Sequence, residues 1–472
     1  MNTFVNAIGN QEARTDNGMK ARKSTSSSCV DLFFKAGAMR GQDITPVFAA
    51  AYAENPDYAL RIALWLRDIR SGAGERKLYR DILLKVEQYN TEYAKDLIWK
   101  TAELGRWDDL LVEWQTAECR EHAFNMIKEA LKQGHGLAAK WMPRKDKKAV
   151  ELRKYFGWTP KFYRKRLVEL TKVVETQMCN NDWDNIDFNK VPSLALARSK
   201  KAFKRHTEKF AQWSAKLVSV DPEVKATVKV NAGAVYPYDV LKNFGAYQKA
   251  ELDAVQGQWE ALPNYLGDAS IMPIVDTSGS MDWFKVGSGK SMLSPRNVAM
   301  SLGLYVADKS KGPFKDVMLS FSGDSEINHL KGNIIQKMDQ VSRLSVGGNT
   351  NLHKAFEKIL QLATKNNVPE SDMPQMLLIM SDMQFDLCAT YDDSAIEMIR
   401  RKYEAAGYKM PQVVFWNLNA GDNVPVSSND KGVALVSGFS PAIIKPLLSC
   451  QLEKFTPEGI MLETIMKDRY DY

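Results

Sequence analysis

The sequence predicts a multidomain chain: an all-α, HEAT-like helical repeat array, followed by an α/β, Rossmann-like domain built on a mainly parallel sheet. Three observations carry this reading. From Asp31 to Val220 apolar residues recur at helical spacing with almost no strand alternation. From Ser270 onward short apolar runs alternate with amphipathic stretches, the rhythm of buried strands covered on both faces by helices. Between them Asn231-Ala232-Gly233-Ala234, Tyr236-Pro237 and Leu262-Pro263-Asn264 interrupt both patterns. The boundaries that follow are a flexible N-terminal arm over 1–30, a helical region over 31–220, a connector with helices over 221–268 and the α/β domain over 269–472.

The arm is polar, with Lys20, Arg22, Lys23 and a Ser/Thr run from Ser24 to Ser28 but no apolar stretch of the secretory kind, so it is expected to be mobile. In the helical region Leu78 to Val86, Tyr93 to Leu104 and Phe124 to Leu131 each read as a helix of ordinary length. Helices in series, each too short to bury its own face, must stack on their neighbours. Two connections stand out, Arg70-Ser71-Gly72-Ala73-Gly74-Glu75-Arg76 and Gly105-Arg106-Trp107-Asp108-Asp109. Their glycines suit sharp turns and their charges suit helix caps. The connector is expected to hold a helix from Val240 to Trp259.

In the α/β domain strands are predicted at Ile271 to Val275, Val317 to Phe321, Gln375 to Met380, Gln412 to Trp416 and Gly432 to Val436. Helices are predicted at Pro295 to Ala307, Asn333 to Val341, Leu352 to Thr364, Asp393 to Ala406 and Pro441 to Leu448. Ser294-Pro295 is a cap followed by a first-turn proline. A sheet of this kind binds its ligand beyond the carboxyl ends of the strands.

Composition narrows the classes. A chain of 472 residues that is 44% hydrophobic has ample material for cores. Its cysteines, Cys29, Cys119, Cys179, Cys388 and Cys450, are scattered and never form C-x-x-C, which points to reduced thiols and a cytoplasmic setting, without disulfides or zinc. No run of about 18 apolar residues exists to cross a membrane. His122, His135, His206, His329 and His353 lie in no metal-ligand spacing, and no nucleophile has an evident base, so an enzyme is not expected. The formal charge of +7 is modest for the length, which makes its distribution the informative quantity.

That charge is concentrated. Lys140 to Glu208 holds roughly 18 Lys/Arg against roughly 8 Asp/Glu, interleaved with aromatics. Lys140, Arg144, Lys145, Lys147 and Lys148 come first, then Lys161, Tyr163, Arg164, Lys165 and Arg166, then Lys200, Lys201, Lys204 and Arg205. Basic side chains meet phosphates and aromatic or guanidinium planes stack on unpaired bases, so these are the candidate contacts to single-stranded nucleic acid. The competing reading makes them solvated helix faces with the aromatics in the core.

A second constellation lies in the α/β domain. The strand Ile271 to Val275 ends in Asp276-Thr277-Ser278-Gly279-Ser280, which delivers a carboxylate and two hydroxyls onto a turn, oxygen ligands of the kind Mg²⁺ takes. Thr350, just before a helix, and Asp382, at the end of an apolar strand, fall on the same edge. Gly287-Ser288-Gly289-Lys290-Ser291 resembles the end of a phosphate-binding loop, but Phe284 stands where its first glycine belongs and no strand immediately precedes it. It reads as an insertion beside the site, from which Trp283, Phe284, Lys285 and Lys290 could reach a ligand.

The set Asp276, Ser278, Ser280, Thr350 and Asp382 resembles the metal-ion-dependent adhesion site of von Willebrand factor A domains. That resemblance implies Mg²⁺ or another divalent cation, held by the hydroxyls and carboxylates, with a carboxylate of a partner protein completing the shell. Together with Arg67 to Arg76, Lys140-Trp141-Met142-Pro143, Tyr163-Arg164-Lys165, Val191-Pro192-Ser193 and Ser437-Gly438-Phe439-Ser440, the arrangement is similar to the TROVE (Ro autoantigen) proteins and more closely to the TROVE-like DUF2828 family. The likeness covers nearly the whole chain after Asp31 and implies RNA, structured or single-stranded, as the ligand class. The alternative is a Mg²⁺-dependent protein-interaction adaptor that binds no RNA.

Overall fold

The computed structural model describes residues 12–242, 244–283, 294–344, 346–387 and 393–472. The loop carrying Phe284, Lys285 and the Gly287 to Ser291 sequence, together with Cys388, lies outside the described residues, as does the side chain of Trp283. The chain forms two compact units. One comprises Met1–Ile62, Tyr236–Phe244 and Leu262–Arg469; the other comprises Ala63–Val235, Gly245–Ala261 and Tyr470–Tyr472.

The first unit is built on a sheet of β3 (Ile271–Asp276), β4 (Val317–Phe321), β5 (Ser325–His329), β6 (Met376–Ser381), β7 (Gln412–Asn417) and β8 (Val433–Ser437), in the order β5-β4-β3-β6-β7-β8. All neighbours pair in parallel except β5, which runs antiparallel to β4 at the edge. β3, β6 and β8 are buried at every residue, as the unbroken apolar runs require of strands covered on both faces. Helix Pro295–Lys309 starts on the Ser294 cap, whose hydroxyl accepts from Asn297 N, and packs on β3. Gly303 permits that approach, since a Cβ there would lie 2.4 Å from Val275 Cγ2. The five predicted strands are found within a residue of their expected limits. The polar edge strand β5 and helix Pro457–Ile465 were not foreseen.

The N-terminal segment departs from the expected mobile arm. From residue 12 it forms an antiparallel hairpin, β1 (Glu12–Arg14) and β2 (Lys20–Arg22). It then runs past the carboxyl ends of the sheet strands: Arg22 exchanges both backbone hydrogen bonds with Val424, and Ser428 N donates to Thr25 O. Helix Ser28–Ala36 follows, with Asp31 accepting from Ser24 Oγ and Thr25 N, and Cys29, Val30, Leu32, Phe33 and Phe34 buried. It lies on β8, where Ser437 Oγ donates to Phe33 O and accepts from Gly37 N. Residues 31–62, expected in the helical region, therefore belong to the unit that holds the sheet, because their apolar faces are buried there.

The second unit is helical. Lys77–Tyr89, Thr91–Leu104 and Ala117–Lys132 pack each on the next, and Gly136–Trp141 packs on Pro160–Leu170. Arg67 and Asp109, both buried, join at 2.5–2.8 Å through two guanidinium nitrogens. A further core gathers Phe188, Phe203, Phe210, Trp213 and Leu217. The connector contributes to it, because helix Lys249–Glu260 packs on Glu208–Leu217 and Ser193–His206. The single helix expected from Val240 is instead divided into Pro237–Leu241, a 3-10 turn and Lys249–Glu260.

Burial, then the neighbouring Glu54 charge, pushes the Cys29 thiol up to about 12, whereas Cys179 is exposed. Brief N-ethylmaleimide treatment of the native protein is therefore expected to label Cys179 well before Cys29 and Cys119, as read by peptide mass mapping. Equal labelling of Cys29 would contradict this packing.

Candidate functional site

Two regions bring together the residues singled out by the sequence. The first lies where β3 and β6 end, beside the point at which the winding of the sheet reverses. The Ser278 N–H donates to Asp276 Oδ1 at 2.9 Å, and the hydroxyls of Ser278 and Ser280 are 3.1 Å apart. Ser381 Oγ donates to the other oxygen, Asp276 Oδ2, at 2.5 Å, and accepts from Met383 N, which has φ +65°. Asp382 accepts from Gln384 N at 3.2 Å and from the Ser280 hydroxyl. The loop bearing Thr350 is tied to this turn by Gly279 N donating to Gly347 O at 2.9 Å. Ser278, Asp276, Thr350 and Asp382 are buried and Ser280 is half-buried.

The electrostatics of this corner fit a cation. Burial raises the carboxyl of Asp276 above the usual range and the charge of Asp382 raises it further; burial likewise raises Asp382. Neither makes an ion pair among the described residues. Two adjacent buried carboxylates without a basic partner are costly unless a proton or a metal ion neutralises them. The donors are all oxygen, which suits a hard ion such as Mg²⁺ and not zinc. Among the described residues no three His, Cys, Asp or Glu side chains form a ligand group, so the hydroxyls of Ser278, Ser280 and Thr350 would have to complete any shell built on Asp276 and Asp382.

Several contacts here had no signal in the sequence. Asn17 Nδ2 donates to Gln384 O at 2.7 Å and reaches Thr350 Oγ1 at 3.4 Å. The Asp16 N–H donates to Gln384 Oε1, and the charge of Asp16 is felt by Asp382. Asp386 accepts from Thr350 N and orders its loop. The segment expected to be free thus borders the corner, some 330 residues away in sequence from Thr350.

The second region is the basic segment, and the structure divides its candidates. Tyr163 and Lys200, expected at a nucleic-acid surface, are instead interior residues, both 1% exposed. Tyr163 donates to Pro143 O at 2.9 Å, and Lys200 Nζ donates to Gln258 Oε1 at 3.3 Å, so neither faces a ligand. Lys140, Lys148, Arg166 and Lys204 are half-buried or buried in part against Glu175, Glu113 and Glu151, Glu169 and Glu251 respectively. Arg166 also donates to the carbonyls of Leu131 and Lys132 at the end of helix Ala117–Lys132.

Arg144, Lys145, Lys147, Lys161, Arg164, Lys165, Lys201 and Arg205 are exposed. Lys145, Lys147, Lys161 and Lys165 make no ion pair among the described residues. The Tyr163 hydroxyl and the bond from Arg144 to Thr171 Oγ1 at 3.0 Å hold loop 143–146 beside helix Pro160–Leu170. Phe162, half exposed, meets Trp158 edge-on at 5.0 Å.

Residues 15–88 and 137–272 match the DUF2828 family model. Its description is a domain of unknown function. The match begins upstream of Asp31 and stops where the sheet begins, and residues 270–468 match a second domain of unknown function, DUF7788. The chain is also similar along most of its length to an uncharacterized protein of Acanthamoeba polyphaga mimivirus, with 28% identity over 509 residues, covering 96% of this chain and 86% of that protein.

Proposed function

We propose that the protein binds RNA through the exposed basic face of its helical unit, and that the corner at Asp276 holds a divalent cation with which the sheet-bearing unit recruits a partner. The observation that carries the RNA reading is that Lys145, Lys147, Lys161 and Lys165 are exposed and without ion pairs among the described residues, and that Phe162, on the same helix as Lys161 and Lys165, is exposed as well. Unpaired lysines give up nothing on meeting a phosphate, and an exposed aromatic offers a stacking surface to an unpaired base. The resemblance to TROVE proteins points to the same ligand class. It also supports reading the helical unit as a HEAT-like array and the sheet as a von Willebrand factor A domain.

Ultraviolet cross-linking to a single-stranded oligouridylate, followed by peptide mapping, is expected to give adducts within residues 158–166. Adducts confined to residues 262–469 would refute this assignment. The metal corner alone supports the second reading, a Mg²⁺-dependent adaptor that binds no RNA, in which a partner's carboxylate approaches the ion held by Asp276, Ser278, Ser280, Thr350 and Asp382. Recovery of a protein partner that survives nuclease but is lost with EDTA or Asp276→Ala, with no RNA recovered, would favour it.

A further inference from the structure

The two glycine-containing connections of the helical unit meet in an arginine cluster that helix capping does not account for. Arg106 grips Asp108 with Nε and Nη2 at 2.9 and 2.7 Å. Arg80 Nη2 lies 3.4 Å from the same carboxylate and Arg76 Nη1 lies 3.7 Å from it. Arg80 also reaches Asp109 Oδ1 at 2.8 Å, while Asp109 Oδ2 is taken by the buried Arg67. Four guanidiniums thus share two carboxylates.

Asp109 is shared by the buried Arg67 and by Arg80, which leaves Asp108 to face Arg76 and Arg106 together with the outer edge of Arg80. The cluster opens to solvent: the side chain of Arg76 is 42% exposed and that of Asp108 21%. Its frame is rigid. Gly72 is required where a Cβ would lie 1.9 Å from Trp65 O, and Ala73 N and Glu75 N bond back to Trp65 O and Leu66 O. Gly105 lies against Arg67, where a Cβ would be 2.5 Å from Nε. The Arg106 guanidinium rests 3.3 Å from the centre of the Trp141 ring, with Lys140 Nζ at 5.3 Å, and Trp107 and His135 meet at 5.1 Å.

An excess of fixed guanidiniums beside an indole is an arrangement that suits a phosphate, whose oxygens accept the forked N–H pairs that one carboxylate cannot satisfy. We infer that Arg76, Arg80 and Arg106 form a seat for one phosphate group, with Asp108 as the placeholder that keeps the arginines splayed in its absence. The inference rests on the RNA reading only for the source of that phosphate. The helix that carries Lys140 and Trp141 leads directly into loop 143–146, so a strand on the basic face would present a backbone phosphate here.

The test compares the full-length protein with Arg76→Gln, which alters the most exposed and least tightly paired arginine. Asp108→Asn and the control Lys358→Gln, an exposed lysine of the sheet-bearing unit, are measured alongside. The probe is a fluorescent oligouridylate of about 12 nucleotides, followed by anisotropy over a range of salt. Arg76→Gln is expected to weaken binding several-fold and to flatten the dependence of log K on log salt by about 0.7, the value of one phosphate contact on a single strand. Asp108→Asn is expected to tighten binding and Lys358→Gln to leave it unchanged. If the wild type binds and Lys161→Ala weakens binding while Arg76→Gln does not, the seat is overturned and the RNA reading stands. If the wild type binds no oligonucleotide, yet inorganic phosphate raises its melting temperature and not that of Arg76→Gln, the seat stands and RNA as its source is overturned. Absence of both responses overturns both.

Discussion

Replacing Lys145, Lys147, Lys161 and Lys165 together with alanine is expected to weaken binding of single-stranded RNA by about 100-fold at low salt and to leave the fold intact. The reason for the large loss is that all four ammonium groups are exposed and free of ion pairs, so each is available to displace counterions from a phosphate. If each meets one phosphate, the slope of log K against log salt falls by about 3. The fold is spared because exposed substitutions of this kind typically change stability by less than about 0.5 kcal/mol each. Anisotropy and a thermal melt on the same preparation separate the two effects. An unchanged slope would remove these lysines from the interface. A lowered melting temperature would mean that they stabilise the helical unit.

Asp382→Asn is expected to change stability in opposite directions with and without metal. In EDTA the substitution removes one of two buried like charges while keeping its shape, so the variant should be more stable than the wild type by about 1–2 kcal/mol. With Mg²⁺ at about a hundred times its dissociation constant, the wild type should gain about 2.7 kcal/mol and the variant little, because one of the two carboxylates proposed to hold the ion is gone. Denaturation curves in the two conditions should therefore cross. Equal stabilisation of both proteins by Mg²⁺ would place the ion elsewhere. No response of the wild type would remove the metal from the account.

Much of the fold was legible because each parallel strand is an unbroken apolar run ending in polar residues, and that same ending delivers Asp276 and Asp382 to one edge. Edge strand β5 escaped notice because Ser-Glu-Ile-Asn-His has no apolar signature and is held by its backbone pairing to β4. The N-terminal hairpin was illegible for a related reason. Its strands are three residues long, and its partners, Phe385 and Val424 among them, lie hundreds of residues away. Asn17 and Asp386, which frame Thr350, inherit that difficulty.

The burial of Lys200 and Tyr163 was within reach of the sequence. Lys200 follows Leu196 by four residues and precedes Phe203 by three, which places it on the buried stripe of helix Ser193–His206. Tyr163 precedes Leu167 by four on the buried side of helix Pro160–Leu170. The lysines flanking Tyr163 fall on the opposite face, so helical phase separates interior from exposed residues where composition alone cannot. The arginine connections show the converse. Their glycines and charges suited caps, and only the convergence of Arg67, Arg76, Arg80 and Arg106 on two carboxylates reveals the surplus.

The most direct measurement is equilibrium binding of the wild-type protein to an unstructured RNA across a range of salt, with and without EDTA. The expected result is binding at low salt whose log K falls linearly with log salt, with a slope of about −3 or steeper and little effect of EDTA. Absence of binding at the lowest salt, or binding indifferent to salt, would contradict the claim that the basic face of the helical unit holds RNA.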